Sequence, residues 1–328
     1  MPKEFARLPE QRVPERGTGE AATGDHARPG LREAQFRRLL RNRAAVAGLL
    51  TVLILLALAL AAPLLAPHPF AEQHPEFILA RPGGRFSLGT DGLGRDVLSR
   101  LLYGGRVSLA VGILSQVVIL AIGLPVALAA GYFGGWVDNV LMQGVDVLLA
   151  IPDLLFAIVF TTLVKGLVEG ARGGPLAWLG QINRVADGLV VIIAAVGLTG
   201  WLATARLVRG QILALRQQEF VEAARSIGAG PWRIMARHLL PNVTDLIIVT
   251  VTLSIPRSIF LEAALSFLGL GIQPPLPSWG TMIADGVQAM RFTPHAVVAP
   301  SIVLAATMLA FNFLGDGLRD AYDPRMQG

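Results

Sequence analysis

Residues 220–242 read FVEAARSIGAGPWRIMARHLLPN, a polar, arginine-bearing stretch set between two strongly apolar ones. Gln217 to Ile227 is a run of good helix formers, and Gly228 falls where a left-handed C-terminal stop belongs. Gly230 and Pro231 restart the chain, with proline at a first helical position where its missing N–H costs nothing. A second helix is expected through Trp232, Ile234, Met235 and His238, and Leu240-Pro241 marks its end. Glu222-Ala223-Ala224 puts two methyl-sized side chains on the first helix, so another protein's surface can approach the backbone closely. Glu222 lies near a helix start, where the helix dipole favours its charge. A polar knob held between apolar spans is built to meet a partner.

Outward from this knob the chain is apolar. Over 328 residues, 53% are hydrophobic and 16% charged, with a mean hydropathy of +0.57, beyond what a soluble domain carries. Windows long enough to cross about 30 Å of hydrocarbon as helices, roughly 20 residues each, occur six times. They run at Ala44–Ala66, Ser108–Tyr132, Val137–Val164, Gly188–Leu207, Val243–Leu265 and Ala296–Leu314. The expected fold is all-α, a polytopic membrane protein with six transmembrane helices. The first run follows a basic lead-in of more than forty residues and reads as an anchor rather than a cleaved signal.

Charges inside these windows are candidates for a pathway. Pro256, Arg257 and Glu262 interrupt the fifth span, and the two charged residues lie on different helix faces. Either they face the bundle interior or a water-filled path, or the helix ends near Ser254 and both sit at the interface. Asp146 and Asp153 flank Pro152 in the third span; Asp146 lines a pathway or, as the favoured reading, ties helices together.

The net charge of +5 is distributed as a topology signal rather than as a nucleic-acid surface. Ten basic residues, from Lys3 to Arg43, precede the first span, and Arg206, Arg209, Arg216, Arg225, Arg233 and Arg237 lie in or beside the knob. Six spans then put both termini and the knob in the cytoplasm. Arg85, Arg95, Arg100 and Arg106 fall on the outer side of this scheme and count against it. Met1 to Gly30 is rich in Pro, Gly, Arg and Glu without apolar period and reads as a disordered cytoplasmic segment, 1–30. Leu31 to Arg43 has the mixture of leucines and arginines of a helix lying on an anionic leaflet.

Several chemistries are excluded. There is no cysteine, so disulfides, thiolate nucleophiles and Cys-ligated metals are out. Lys3 and Lys165 are the only lysines and neither sits in a Walker A loop, so this chain is not an ATPase. His26, His68, His74, His238 and His295 are not paired at metal-binding helical spacing, although His68 and His74 share a loop with Glu72 and Glu76. No nucleophile motif with partners is found, and neither a catalytic residue nor a metal site is assigned.

Between the first two spans the chain reads SLGTDGLGRDVLSR from Ser87 to Arg100, then YGGRVSL from Tyr103. Gly89, Gly92 and Gly94 allow tight turns, while Asp91, Asp96, Arg95 and Arg100 can pair with one another. This stretch resembles the G-T-D-x-x-G-R-D-x-x-S-R segment of permease subunits in the dipeptide, oligopeptide and nickel branch of ABC importers. Glu222-Ala223-Ala224 with Gly228 and Leu240-Pro241 resembles the coupling loop of such permeases. Glu262 to Gly271 with Pro274 to Gly280, and Asn312 to Arg325, are similar to two further stretches of the family, so the likeness covers Phe36 to Arg325. The connection Lys165 to Asp187 is longer than the family's link, and Arg257 is not part of its pattern.

The resemblance implies a type I ABC importer permease fold in the inner membrane. It divides the chain into 31–105, the first span with the outer segment, and 106–328, the permease domain with a coupling loop at about 217–242. It implies that Glu222, Ala223, Ala224, Gly228, Pro231, His238, Leu240 and Pro241 couple to an ATPase, and that Gly89, Thr90, Asp91, Gly94, Arg95, Asp96 and Arg100 shape or gate the outer side. The loop from Gly269 to Gly280 would shape an outer gate or receptor contact. Asp146, Arg257 and Glu262 are the candidate pathway residues. The implied partners are two P-loop ATPase subunits that bind ATP and magnesium, a second similar permease, an extracytoplasmic solute-binding protein and the lipid bilayer. No cofactor is expected in this chain. The alternative is a secondary transporter or channel working without ATP; such proteins show internal repeats, and none links the two halves here.

Overall fold

The computed structural model describes residues 31–322 except 172, so the expected disordered segment 1–30 and the end of the Asn312 to Arg325 stretch lie outside the described residues. Among the described residues the regular elements are helices, with isolated bridges only at Gly83–Phe86 and Thr90–Asp96. A short helix α1 (Leu31–Arg41) leads into α2 (Arg43–Leu60) and a one-turn extension α3 (Ala62–Leu65). Asn42 caps α2 by accepting hydrogen bonds from the Ala44 and Ala45 N–H groups at 3.1 and 3.2 Å. After an irregular segment come α4 (Val97–Phe133), α5 (Gly135–Leu149), α6 (Asp153–Gly170) and α7 (Gly174–Val185). Next are α8 (Leu189–Leu215), α9 (Glu219–Ser226), α10 (Pro231–Ile234), α11 (Leu240–Phe267), α12 (Trp279–Ala289) and α13 (His295–Tyr322).

Among the described residues five helices are long and apolar enough to cross a membrane, and a sixth crossing is made if the bent pair α5 and α6 counts as one. The third expected span, Val137–Val164, is therefore not one rod: its halves meet at 97°. Pro152 explains the break, because it lacks an N–H for the helical ladder and pushes the residue before it out of helical backbone. The fifth span departs the other way. It does not end near Ser254 but runs through Pro256, Arg257 and Glu262 to Phe267. Hydroxyls of Thr250, Thr252 and Ser254 donate back to the carbonyls of Leu246, Ile248 and Thr250 at 2.7–2.9 Å in the turns before Pro256, and the helix passes through the proline without a break. The division between residues 105 and 106 falls inside the continuous helix α4. The long connection Lys165 to Asp187 is largely helical, completing α6 and forming α7.

Small residues hold the spans together, as expected where lipid removes the hydrophobic drive between helices. Along the α4–α8 seam, a Cβ on Gly197 would lie 2.5 Å from Val118 Cβ, and one on Gly131 would lie 2.7 Å from Ile212. The same holds between α2 and α13, where a Cβ on Gly317 would meet Ala45. Two ends result. At one, α1 and the end of α13 pack through Leu39, Ala45, Leu318 and Ala321, beside the start of α11. At the other, the 87–100 segment packs on α12.

Candidate functional site

The knob sits at the first of these ends. α9 stops as its sequence dictates: Gly228 takes a φ of +82°, the Ala229 N–H donates to Ala224 O at 3.0 Å and the Gly228 N–H to Arg225 O at 2.9 Å. Pro231 starts α10 at its first position. Val221 and Ala224 of α9, with Ile234, Met235 and Leu239, are buried against Tyr132 of α4 and Val208 and Ile212 of α8. The Arg225 guanidinium lies 5.4 Å from the centre of the Tyr132 ring. One side of the knob is thus welded to the ends of three spans.

Two expectations for the knob fail. Ala224 is buried in this weld, so of the two alanines only Ala223 is open to a partner. Pro241 does not end the second helix, because Met235–Leu239 form a π-helical turn and the chain passes straight into α11. The Leu240 N–H reaches back to Met235 O, and the Asn242 amide donates to His238 O at 2.6 Å, so the wider turn accommodates the proline. The outward surface carries Glu222 and Ala223 beside Ile227 and Trp232, which are 84% and 77% exposed. Ile227 and Trp232 were not singled out as contact residues by the sequence; an apolar residue just past a glycine-stopped helix was the available signal. His238 and Leu240 are half-buried behind them.

At the far end the G-T-D-x-x-G-R-D segment closes on itself. Asp91 Oδ1 accepts from the Leu93 and Arg95 N–H groups at 2.9 and 3.0 Å, and Asp91 Oδ2 accepts from Arg95 Nε at 2.7 Å. Arg100 Nε is 3.4 Å from the same oxygen. Both arginines also reach Asp285 of α12, at 3.1 and 3.4 Å. Asp285 was missed, since nothing in the sequence links it to a segment 190 residues away. Asp96 does not join this knot; it caps α4, accepting from the Ser99 N–H at 2.9 Å and its hydroxyl at 2.6 Å. Thr90 is fully buried between Ala80 and Phe77, and Gly89 and Gly94 both have positive φ. A Cβ on Gly94 would lie 2.2 Å from His74 O.

Of the candidate pathway residues, Glu262 is removed from any surface. It is 0% exposed, and its carboxylate accepts from Ser108 Oγ at 3.2 Å and Ser266 Oγ at 2.7 Å. Ser108 Oγ in turn accepts from the Trp279 N–H at 3.1 Å. The site fastens α4, α11 and α12 together behind the buried Trp279. The Gly269 to Gly280 loop ends in this fastening, where Ser278 caps α12.

Asp146 and Arg257 do reach a surface, as members of a series. Asp138 and Asp146 of α5 pair with Arg209 and Arg206 of α8, and Asp153 at the start of α6 pairs with Arg257 of α11. Arg206 and Arg209, counted above as topology signals, are thus occupied in helix ties. Asp138–Arg209 is mostly buried, whereas Asp146–Arg206 and Asp153–Arg257 are about half-exposed. Arg257 lies ten residues before the end of α11 and its cleft neighbour Thr199 ten after the start of α8, so both sit about 15 Å from the far end. That is mid-membrane depth. Lipid cannot cover half-exposed charges there, so this face looks onto protein or water.

A sequence model of the family described as binding-protein-dependent transport system inner membrane component matches residues 123–328. One described as N-terminal TM domain of oligopeptide transport permease C matches residues 31–82. The chain is 41% identical over 294 residues to the glutathione transport system permease protein GsiD of Pectobacterium atrosepticum, covering 89% of this chain and 90% of that protein. It is 40% identical over 304 residues to the dipeptide transport system permease protein DppC of Bacillus subtilis, at 92% and 88% coverage. To the oligopeptide transport system permease protein OppC of the same organism it is 36% identical over 290 residues, with 88% of each covered.

Proposed function

The chain belongs to the binding-protein-dependent transport system inner membrane component family, a multi-pass inner-membrane permease of ABC importers, and on that premise we propose that it carries short peptides inward by alternating access. Such a permease works with ATPase and binding-protein partners. The specific assembly we propose is this chain, a second similar permease, two P-loop ATPase subunits that bind ATP and magnesium, and one extracytoplasmic receptor. The knob end is cytoplasmic in this reading. Arg37, Arg38, Arg41 and Arg43 support that side, as do Arg216, Arg225, Arg233 and Arg237. Arg95 and Arg100, which counted against it, are offset by Asp91 and Asp285.

One observation carries the coupling assignment: the knob is buried on one face against α4, α8 and α11 and bare at Ile227 and Trp232 on the other. An ATPase groove that accepts Glu222, Ala223, Ile227 and Trp232 can move the knob only by moving those spans. The run Pro231–Phe267 is one membrane-length rod from the knob to the Glu262 fastening. Displacement at the ATPase therefore reaches the far end without passing through a flexible joint. Gly228 and Pro231 keep the knob stiff, and the 87–100 segment with α12 caps the outer side.

The test is purification of the tagged chain from gently solubilised native membranes. Recovery of a second permease and P-loop ATPases, the ATPases being lost on Trp232→Ala, is the expected result. Recovery of the chain alone or as a self-oligomer across several detergents would establish the ATP-independent alternative instead.

A further inference from the structure

The half-exposed pair Arg257–Asp153, at 55% and 46% exposure, does not fasten the fold as Glu262 does. Its two members belong to α11 and to the first turn of α6, just beyond the 97° break, so they can part without any helix unwinding. Beneath them a narrow cleft is lined by Thr199, Ser254 and Ser258, three hydroxyls spread over about 6 Å of depth. A face of this kind, apolar on its flanks and carrying one cation, one anion and short hydroxyls, matches a small zwitterion.

We infer that Arg257 and Asp153 form a subsite for the charged termini of a peptide in transit, the guanidinium taking the carboxylate and the Asp153 carboxylate taking the ammonium. The inference rests on reading the chain as a peptide permease. Arginine suits the role because its planar fork binds a carboxylate through two parallel hydrogen bonds. Between transport events the two residues satisfy each other, so the resting pathway holds no unpaired charge. A zwitterionic peptide exchanges one ion pair for two. A solute with a single charged end would leave one residue unpaired at membrane depth, and the site rejects it by that cost. Selection therefore continues in the membrane after a receptor has delivered its ligand.

The complete complex in proteoliposomes, with receptor and ATP, tests the assignment using tri-alanine, its C-terminal amide and its N-acetyl form, each at a concentration that saturates the receptor. Arg257→Gln is expected to slow uptake of free tri-alanine by at least about tenfold while hardly changing uptake of the amide, which already lacks the group that Arg257 binds. Asp153→Asn is expected to show the same pattern with the N-acetyl form. Equal slowing of free and blocked peptides would make the pair a helix tie and overturn the inference, as would unchanged uptake. Because either single variant leaves a lone charge, Arg257→Gln with Asp153→Asn is the second arm. It should assemble, as read by co-purification, and pass all three peptides at similar rates; retention of the wild-type preference would also overturn the inference. A wild-type complex that hydrolyses ATP but takes up none of the three peptides would instead remove the peptide reading itself.

Discussion

The two ends of the molecule solve opposite problems. At the far end, the charges of Asp91, Arg95, Arg100 and Asp285 pair with one another, with only Arg100 Nη1 left unbonded, and three of the four are almost wholly buried. At the knob end, an apolar weld leaves Ile227 and Trp232 largely bare, with little of the described residues against them. The first arrangement is complete within one chain; the second is half of something. The difference teaches that charge does not by itself mark function, nor apolar character structure. Whether a group's needs are met inside the chain is the better guide.

The largest expected effect falls on the complete end. Arg100→Ala removes a partner from a buried cluster and leaves Asp91 and Asp285 short of charge, a loss of about 3–5 kcal/mol. Thermal unfolding of the detergent-solubilised chain checks it, and an unchanged midpoint would break the contrast between the ends. Gly228→Val comes next: a β-branched residue at a φ of +82° costs about 1–2 kcal/mol, confined to the knob. Membrane insertion should persist while transport per ATP hydrolysed falls; normal coupled transport would take the turn out of the coupling machinery. Trp232→Ala should leave the midpoint of the isolated chain within about 0.5 kcal/mol, as for an exposed surface change, yet abolish ATPase co-purification. Destabilisation of the isolated chain would mean that this end, too, is complete. Smallest is Glu222→Gln, whose charge at the start of α9 is worth about 0.3–1 kcal/mol, read as a modest rise in the ATPase concentration needed for half-maximal transport.

Local rules carried the sequence reading far. Gly228 and Pro231 punctuate the knob where their chemistry said they would, because a positive φ and a missing N–H are properties of single residues. Five of the six apolar windows became helices of membrane length for a similar reason: hydropathy is additive along the chain. What stayed hidden was long-range or a contest between local rules. Asp285 meets Arg95 only after the chain has crossed the bundle several times. Pro152 and Pro256 look alike on paper, yet one breaks its helix and the other lies within a continuous one. Ala223 and Ala224 are adjacent and chemically identical, and only packing decides that the second is spent on the weld. Glu262 and Arg257 were grouped as charges in one span; their different helix faces sent one to the interior and the other to a cleft.

The π-helical turn at Met235–Leu239 has an angular consequence. A turn closed by i→i+5 bonds holds one residue more than an α-turn, and one residue corresponds to about 100° of rotation. Everything beyond it on α11 takes its azimuth from that extra residue. If the turn tightened to α-helical pitch with every residue kept, Glu262 would swing away from Ser108 and Arg257 away from Asp153 together, the latter about 30 Å along the rod, whereas excision of Ala236 with the same tightening would preserve their bearing. A small irregularity beside the knob thus sets the compass bearing of the charges at mid-membrane, and a twist imposed on the knob is dialled into the pathway as rotation.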